Sequence, residues 1–451
     1  MSMDDLPDSL VLDILSRLSD SSDIARCRVV SKTLNLLSCQ VRSINFFCSL
    51  SRYLKSRSPE TRSLITPFKI VFADLVRSYR CLQSVSIGVE KSLAGISYDD
   101  LEDDSDDLFL TEVRFVKEWL PMVCGELRSL SISDFWAQSC WRRSDILSLI
   151  SSSCHDLLQL ELKNAWLSVD SLYPMPKLTS LTLEFIRLDD EDLSKVNGCF
   201  PSLQVLNLIG VGGLKEPKIH LLHLKTCKWT VSNAPHSLGI FAPILVKLEL
   251  KCIKPSSIVL DTPLLADLNI SIEKAKRFEG KEFLNLKNLH LESSRLLRLI
   301  DWFLPSRSKT VKKLTIESRK SPDLPQLKMI ETTFYAFPNA STLNFGPLVW
   351  SRLVTCYGPE GLSSSATVMD QLKEITAYLM PCALNDSFGF ISGLLRISVP
   401  NLSDMSLLIH HEVDSSIVTN LISKCIACHP RVRWRWGIWK EGAENSWHLV
   451  S

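Results

Sequence analysis

The sequence has little glycine, no surplus of charge of either sign and no long apolar run. Glycine occurs 16 times in 451 residues, and no glycine-rich loop of the kind that cradles phosphate is present. Lys+Arg number 51 and Asp+Glu 50, so no net charge favours nucleic acid or an anionic membrane. No apolar run reaches about 18 residues, so no membrane span is predicted. The first residues lack a cationic segment before an apolar stretch, so no secretory signal is expected.

Other absences argue against enzymes and secreted scaffolds. Neither a Gly-x-Ser-x-Gly elbow nor a zinc-protease string occurs, so we predict no catalytic residue, no cofactor and no enzymatic activity. The 14 cysteines are scattered through apolar segments, which predicts reduced, buried thiols in a cytoplasmic and/or nuclear protein. A hydrophobic fraction of 45% is ordinary for a folded chain, so extensive disorder is not expected.

A short helical module is predicted at the start of the chain. Leu6-Pro7-Asp8 resembles a helix start with Pro7 at the first helical position. One apolar stripe follows, formed by Leu10, Val11, Ile14, Leu15 and Leu18. Residues 19–22 supply caps for a second helix and Ser31 caps a third. Three helices in under about forty residues bury little surface, so the module must be stabilised by contacts with the rest of the chain or with another protein.

The segments Leu6–Leu18 and Arg26–Lys32 resemble the F-box. In that family the Leu-Pro start, the Ile-Leu-x-x-Leu helix and the Val-Ser-Lys turn contact a small acidic adaptor of the Skp1 type, which links to a cullin. The resemblance implies adaptor contacts from Leu6, Pro7, Leu10, Ile14, Leu15, Leu18, Val30, Ser31 and Lys32. Where the family usually has Trp this chain has Leu34, and the lost apolar area, roughly 1–3 kcal/mol if buried, predicts weaker adaptor binding. The alternative is an ordinary helical cap on the rest of the fold.

A repeated pattern, apolar-x-x-apolar-x-apolar, runs through the middle of the chain at intervals of roughly 16 to 45 residues. The copies begin at Leu82, Leu127, Leu157, Leu178, Leu203, Ile219, Leu245, Leu265, Leu286 and Val311, and a weak copy ends at Phe345. The last two apolar residues of each copy point to one face of a short strand, and parallel stacking of such strands forms a continuous core. The pattern resembles the plant type of F-box/leucine-rich-repeat protein.

We therefore predict an α/β fold with a three-helix F-box at 1–48 and an irregular leucine-rich-repeat solenoid, a parallel β-sheet horseshoe, at 49–380. Residues 381–451 are predicted to form a C-terminal repeat or a solenoid cap. The resemblance implies a substrate-recognition subunit of an SCF-type ubiquitin ligase, which binds the adaptor through the F-box and an unknown target protein through the repeats. The alternative is a leucine-rich-repeat scaffold or small-ligand sensor outside ubiquitination.

The strand face opposite the predicted core carries mixed polar residues. Those predicted to contact the target are Glu161, Lys163, Asn207, His223, Lys225, Glu249, Lys251 and His290. A solvated strand face is the alternative for any one of these residues.

Two strings look like metal or haem sites. Asp99–Asp107 is acidic but lacks the glycine and closing glutamate of a calcium loop, which favours a disordered surface loop. Cys425–His429 matches the haem-attachment string, but nothing else indicates haem, and a zinc site with His410 or His411 would need a defined fourth ligand. We interpret these cysteines as buried helix residues and predict no metal.

The segment Arg431–Lys440 alternates basic and aromatic residues. The alternation predicts a terminal β-strand that covers the end of the solenoid, with Val432, Trp434, Trp436 and Ile438 on one face. The alternative is a segment that binds single-stranded nucleic acid by stacking and charge. We favour the capping strand, and no nucleic-acid partner is predicted.

Overall fold

The computed structural model describes residues 6–18, 20–96, 105–231, 235–273, 275–280, 282–303, 309–319, 329–357, 369–397 and 399–448. The chain divides into two compact units, Met1–Asn233 and Ala234–Ser451. This division falls inside the predicted repeat segment, so the compact units do not follow the predicted domain boundaries, which stay predictions.

The first unit begins with the helices α1 (Asp8–Ser16), α2 (Ser21–Val30) and α3 (Lys32–Ser38). Pro7 is the residue before α1 and not its first helical residue, because the backbone N–H groups of Leu10 and Val11 donate to the Pro7 carbonyl. Asp20 accepts from the Ser22 N–H at 2.8 Å and Ser31 Oγ accepts from the Leu34 N–H at 3.1 Å, so both predicted capping segments are confirmed.

The rest of the first unit consists of short strands joined by helices and loops. Its elements are β1 (Ser43–Cys48), α4 (Leu50–Arg57), α5 (Phe68–Arg77), β2 (Ser84–Val89), α6 (Val113–Val123), β3 (Ser129–Ser133), α7 (Gln138–Trp141), β4 (Arg143–Ser144), α8 (Ile146–Ser153), β5 (Gln159–Lys163), β6 (Trp166–Leu167), β7 (Ser180–Glu184), α9 (Asp190–Cys199), β8 (Val205–Val211), β9 (Lys218–His220) and β10 (Thr226–Val231). Its main sheet has the order β1-β2-β3-β5-β7-β8-β10, and its strands are parallel.

The register of the sheet confirms the repeat pattern. Leu130 lies opposite Leu160, which lies opposite Leu181, and all three side chains are buried. The third apolar residues of the same copies, Ile132, Leu162 and Leu183, are aligned in the same way, so successive repeats contribute parallel rows to one core. Strand β1 pairs with β2, so the sheet already begins inside the segment predicted as the F-box domain.

One predicted copy is placed wrongly. The pattern beginning at Ile219 does not form the sheet strand, which is β10 with Cys227 and Trp229 buried in the core. His223 and Lys225 therefore precede the strand and do not lie on its polar face. Cysteine and tryptophan in the two core positions conceal this copy from a search for aliphatic residues.

The second unit continues the same construction. Its elements are β11 (Ser237–Phe241), β12 (Lys247–Cys252), β13 (Ser257–Asp261), β14 (Asp267–Ile272), β15 (Arg277–Gly280), β16 (Asn288–Glu292), α10 (Leu296–Asp301), β17 (Lys313–Glu317), α11 (Met329–Ala336), β18 (Thr342–Phe345), α12 (Pro347–Tyr357), β19 (Glu374–Leu379), α13 (Leu384–Ile397), β20 (Asp404–His410), α14 (Ser415–Cys428), β21 (Arg433–Trp439) and β22 (Ser446–His448). Its main sheet has the order β12-β14-β16-β17-β18-β19-β20-β21-β22. Strands β11, β13 and β15 form a smaller parallel sheet.

The C-terminal strand was predicted correctly in position and partly in side-chain direction. Strand β21 pairs parallel with β20 and antiparallel with β22, and it buries Trp434 and Trp436. Ile438 is exposed and Trp439 is buried instead, because Trp439 packs against Tyr378 and His410 on the other face of the sheet.

Cysteine burial was predicted only in part. All cysteines are free, and Cys48, Cys154, Cys227, Cys252 and Cys425 are buried. Burial raises the pKa of the Cys227 thiol to about 12, so this thiol is protonated and inert. Exposed cysteines include Cys428 of the haem-like string, which lies at the end of α14 and is not a buried helix residue as predicted.

The last residue of the acidic stretch 99–107 makes hydrogen bonds within the fold. The predicted loop lies outside the described part of the chain at residues 99–104. Asp107 accepts the backbone N–H groups of Phe68 and Lys69 at 2.6 and 3.0 Å. A carboxylate at the positive end of α5 stabilises that helix, so Asp107 is an ordered capping residue.

A buried carboxylate joins the segment before α6 to the residue after β3. Asp134 accepts hydrogen bonds from the backbone N–H groups of Leu110 and Thr111 and from the Thr111 hydroxyl. Burial raises the pKa of Asp134 from 3.8 to about 7, although these hydrogen bonds oppose the shift. Its contribution to the free energy of unfolding is therefore complete below the ordinary pKa and is lost as the pH rises through about 7.

We expect Asp134→Ala to lower the free energy of unfolding of the first unit by about 3 kcal/mol, because buried donors lose their acceptor. Asp134→Asn keeps a neutral acceptor and should weaken the fall in stability between pH 5 and 8. Urea unfolding of the wild type and both variants at these two pH values measures both effects. An unchanged pH dependence in Asp134→Asn would contradict the assignment.

Candidate functional site

The helical module exposes apolar side chains on each of its helices. Leu10 and Ile14 of α1 are 44% and 36% exposed. Val29, Val30 and Leu36 are 87%, 77% and 70% exposed. We call these five residues the exposed apolar set. Such side chains on a small module are typical of a surface that another protein covers.

The structure separates the predicted adaptor residues into two groups. Leu15 is buried beside Val11 and belongs to the module's own core. Ser31 is partly buried and caps α3. Pro7 and Lys32 are exposed like Leu10, Ile14 and Val30, while Leu6 and Leu18 are partly exposed.

The sequence prediction missed Val29 and Leu36 and misinterpreted Leu34. Leu34 is buried within the module, so its size affects internal packing and not a surface offered to an adaptor. The signal for Val29 and Leu36 is their position off the buried stripe of a short helix, where an apolar residue has no core to enter.

The module is anchored to the repeats by specific contacts. Arg28 donates from Nε to Ser38 Oγ at 2.8 Å and from Nη1 to Ser78 Oγ at 2.7 Å. Its guanidinium carbon lies 4.7 Å from the centre of the Tyr79 ring. Ser21 Oγ accepts from the Asn45 N–H of β1 at 2.9 Å. The module therefore depends on the first repeats for its position, and tests of its function require the full chain.

A cavity of about 690 Å³ lies on the polar face of strands β2, β3, β5 and β7, at the first unit. Its apolar lining residues are Phe47, Val89, Leu93, Phe135, Trp136 and Phe185. This volume is within the range of pockets that bind a small molecule or a few side chains of a peptide.

The polar floor of this cavity is an ion-paired row across three strands. Lys163 Nζ lies 3.0 Å from Glu161 Oε1 and 2.9 Å from Glu184 Oε2, and Ser131 Oγ donates to Glu161 at 2.8 Å. Burial works to lower the pKa of Lys163, but its hydrogen bonds to both carboxylates outweigh that effect and raise the pKa. The row thus carries an excess of negative charge, which favours a ligand with a cationic or hydrogen-bond-donating group.

The rim of the cavity holds strained backbone. Asn164 and Phe185 have φ angles of 57° and 52°, in the left-handed region that bulky residues rarely adopt. The Phe185 ring lies over Gly210, where an added Cβ would be 2.7 Å from the ring. The glycine is needed for this close approach, and the strain at Phe185 marks the rim as a functional candidate.

The other predicted target residues lie outside this cavity. Asn207 Nδ2 donates to Thr182 Oγ1 at 3.0 Å on the neighbouring strands. In the second unit, Glu249 and His290 line a polar depression of about 330 Å³, and Lys251 pairs with Glu249 at 3.3 Å. His223 contacts the Pro201 carbonyl and Lys225 contacts Gln204, both in loops of the first unit.

Comparison with known proteins gives two matches. A model of the F-box-like family matches residues 3–43. An F-box/LRR-repeat protein of Arabidopsis thaliana is 51% identical over 453 aligned residues, which cover 99% of this chain and 100% of that protein. Separately, no helix within the described ranges is long and apolar enough to cross a membrane.

Proposed function

The chain belongs to the F-box/LRR-repeat protein family, and from this premise we propose that it is the substrate-recognition subunit of a Skp1–cullin–F-box ubiquitin ligase. The observation that carries the proposal is the exposed apolar set. These side chains lie within the segment that the F-box-like family model matches. The protein holds a target close to a ubiquitin-charged enzyme and accelerates transfer by proximity, without catalysing a reaction itself.

The adaptor surface that we propose differs from the sequence prediction. It comprises the exposed apolar set together with Pro7 and Lys32, and it excludes Leu15 and Leu34 because these side chains are buried. Burial of the exposed apolar side chains supplies most of the binding free energy, at about 25 cal/mol per Å² of apolar area. Lys32 is positioned to meet an acidic adaptor.

The first test is complex formation by the full chain. We expect the protein, co-expressed with a Skp1-type adaptor, to co-elute with it in gel filtration as a stable complex. Elution of the two proteins apart, under conditions in which a second F-box protein binds the same adaptor, would contradict the proposal. A 1:1 mass from light scattering would support it.

Target recognition is proposed at the cavity of the first unit. Aromatic side chains around a well-defined depression are the usual energetic centre of an interface, and Phe185 is 55% exposed at its rim. The negative excess of the floor favours a target segment that presents a lysine, an arginine or a hydrogen-bond donor beside an apolar residue.

We expect Phe185→Asn to lower target capture about tenfold or more, because it removes an aromatic contact. Asparagine tolerates the left-handed backbone, so the substitution adds no strain. Leu222→Asn is the matched control, since Leu222 is an exposed apolar residue of the same unit outside the cavity. Quantitative mass spectrometry of co-purified proteins measures capture. Equal capture by both variants would place the target site elsewhere.

The same cavity supports a second candidate function, the sensing of a small molecule. Its volume suits a small ligand as well as a peptide segment. Native mass spectrometry of the purified chain distinguishes the two, since a resident small molecule adds mass that Phe185→Asn removes.

A further inference from the structure

A cluster of metal-ligating side chains lies at the carboxyl ends of β20 and β21, apart from the surfaces proposed for adaptor and target. His410 is the last residue of β20 and His411 follows it, while Glu441 lies two residues beyond the end of β21. Parallel pairing places His410 opposite Trp439, and the His411 N–H donates to the Trp439 carbonyl at 3.1 Å. The two strand ends are thereby held together, and the segments that follow them start side by side.

The ligand atoms of these three residues already lie close together. One nitrogen of each histidine and one Glu441 oxygen are all within 4.8 Å of one another. His410 Nε2 is 3.2 Å from Glu441 Oε2, and the two imidazole centres are 4.5 Å apart. A tetrahedral zinc ion with ligands at about 2.0–2.2 Å needs ligand atoms roughly 3.4 Å apart. The His410–Glu441 separation already matches this value, and the longest separation in the cluster is at most 4.8 Å.

The surroundings fix one ligand and leave the others adjustable. His410 is 7% exposed, and its ring packs edge-on against Trp439 at 4.8 Å. Trp439 is held in turn by a hydrogen bond that its Nε1–H donates to the Leu379 carbonyl at 3.3 Å. His411 and Glu441 are exposed, so an ion can enter from solvent.

The residue after His411 also holds the His410 ring. The Glu412 backbone N–H donates to His410 Nδ1 at 3.4 Å, and the Glu412 carboxylate lies 3.7 Å from the same nitrogen, beyond hydrogen-bond distance. His410 Nε2 faces Glu441 and is therefore the nitrogen available to an ion.

We propose that His410, His411 and Glu441 bind a divalent ion of the zinc class. Two imidazoles and one carboxylate are donors that zinc accepts readily, and three protein ligands leave a fourth position for water or for a side chain of a bound protein. The ion ties the turn after β21 to the end of β20, and so fastens the last strands of the second unit.

The test is a titration of the full chain with Co²⁺ in a non-chelating reductant. We expect visible bands of tetrahedral cobalt at one equivalent, without the thiolate-to-cobalt charge-transfer band that cysteine ligation would give. His411→Ala and Glu441→Gln change exposed residues, and each should weaken Co²⁺ binding at least tenfold. His429→Ala is the control that addresses the neighbouring Cys425–His429 string, and it should bind as the wild type does.

Two results would overturn the proposal. One is a charge-transfer band with unchanged affinity in His411→Ala, which would assign the metal to cysteines. The other is the absence of visible bands at stoichiometric Co²⁺, which would leave an ordinary hydrogen bond between His410 and Glu441. Displacement of bound Co²⁺ by Zn²⁺ would confirm the class of ion.

Discussion

Replacing Leu10 and Ile14 together by aspartate is expected to abolish binding to a Skp1-type adaptor while the chain stays folded. Both side chains lie on the exposed side of α1, so the substitution leaves the buried residues Val11 and Leu15 in place. Each apolar side chain removed from an interface costs about 1.5–3 kcal/mol, and a carboxylate left there without a partner costs more. The dissociation constant should rise at least about a thousandfold.

The matched control is a double aspartate variant at Leu64 and Leu222, which are exposed apolar residues of the same unit outside the module. Isothermal titration calorimetry with purified adaptor measures affinity, and circular dichroism checks folding. If the Leu10/Ile14 variant binds as tightly as the control, the module is only a helical cap on the repeats. A variant that changes both Ile14 and Leu15 would not decide the question, because Leu15 is buried and is needed for folding.

A second variant tests Val29, which the sequence prediction missed, together with Val30, which it named. Val29→Asp with Val30→Asp alters the end of α2, where both valines are almost fully exposed. Loss of adaptor affinity in this variant as well would show that the adaptor spans two helices of the module.

The sequence predicts the strands well because apolar and polar residues alternate along each strand according to which face of the sheet is buried. Leu160 and Leu162 are buried while Glu161 between them is not, and this alternation follows directly from strand geometry. The copy at β10 was missed because Cys227 and Trp229 serve as core residues there. A pattern search that accepts only aliphatic residues cannot detect such a copy.

The same reasoning fails on the short helices. The apolar stripe of α1 is wide, so one part of it, Val11 and Leu15, enters the core while Leu10 and Ile14 remain at the surface. Sequence spacing cannot divide such a stripe, since the division depends on where α3 and the repeats lie.

Sites built from distant segments are also hidden from the sequence. The cavity brings Phe47 of β1 together with Trp136 and Phe185, which follow other strands. Likewise, His410 and Glu441 become neighbours only because β20 and β21 pair in parallel. Because the repeats are irregularly spaced, the sequence gives no rule that predicts which distant residues come into contact.

The buried tryptophans of β21 favour the capping strand over the nucleic-acid interpretation of the C-terminal segment. The rings of Trp434 and Trp436 stack at 5.6 Å, and Trp434 Nε1 donates to the His429 carbonyl at 3.3 Å. Both rings are buried and are therefore not available to stack on bases. Arg433 and Arg435 lie 2.5 and 3.9 Å from Asp404, and the hydrogen bond from Arg433 holds the pKa of that carboxyl below its usual value.

Replacing Trp434 and Trp436 together by serine should therefore lower the melting temperature of the second unit by roughly 12–40 °C. Each truncation of a buried tryptophan costs about 3–5 kcal/mol, and about 2–4 °C are lost per kcal/mol in a unit of this size. Loosening of β21 also exposes the edge of β20, so aggregation should increase.

Trp447→Ser is the control, because Trp447 of β22 is half exposed and its replacement should shift the melting temperature by a few degrees at most. Differential scanning calorimetry measures the melts, and filter binding of a single-stranded oligonucleotide tests the other interpretation. An unchanged melt together with lost, salt-sensitive oligonucleotide binding would show that the segment contacts nucleic acid.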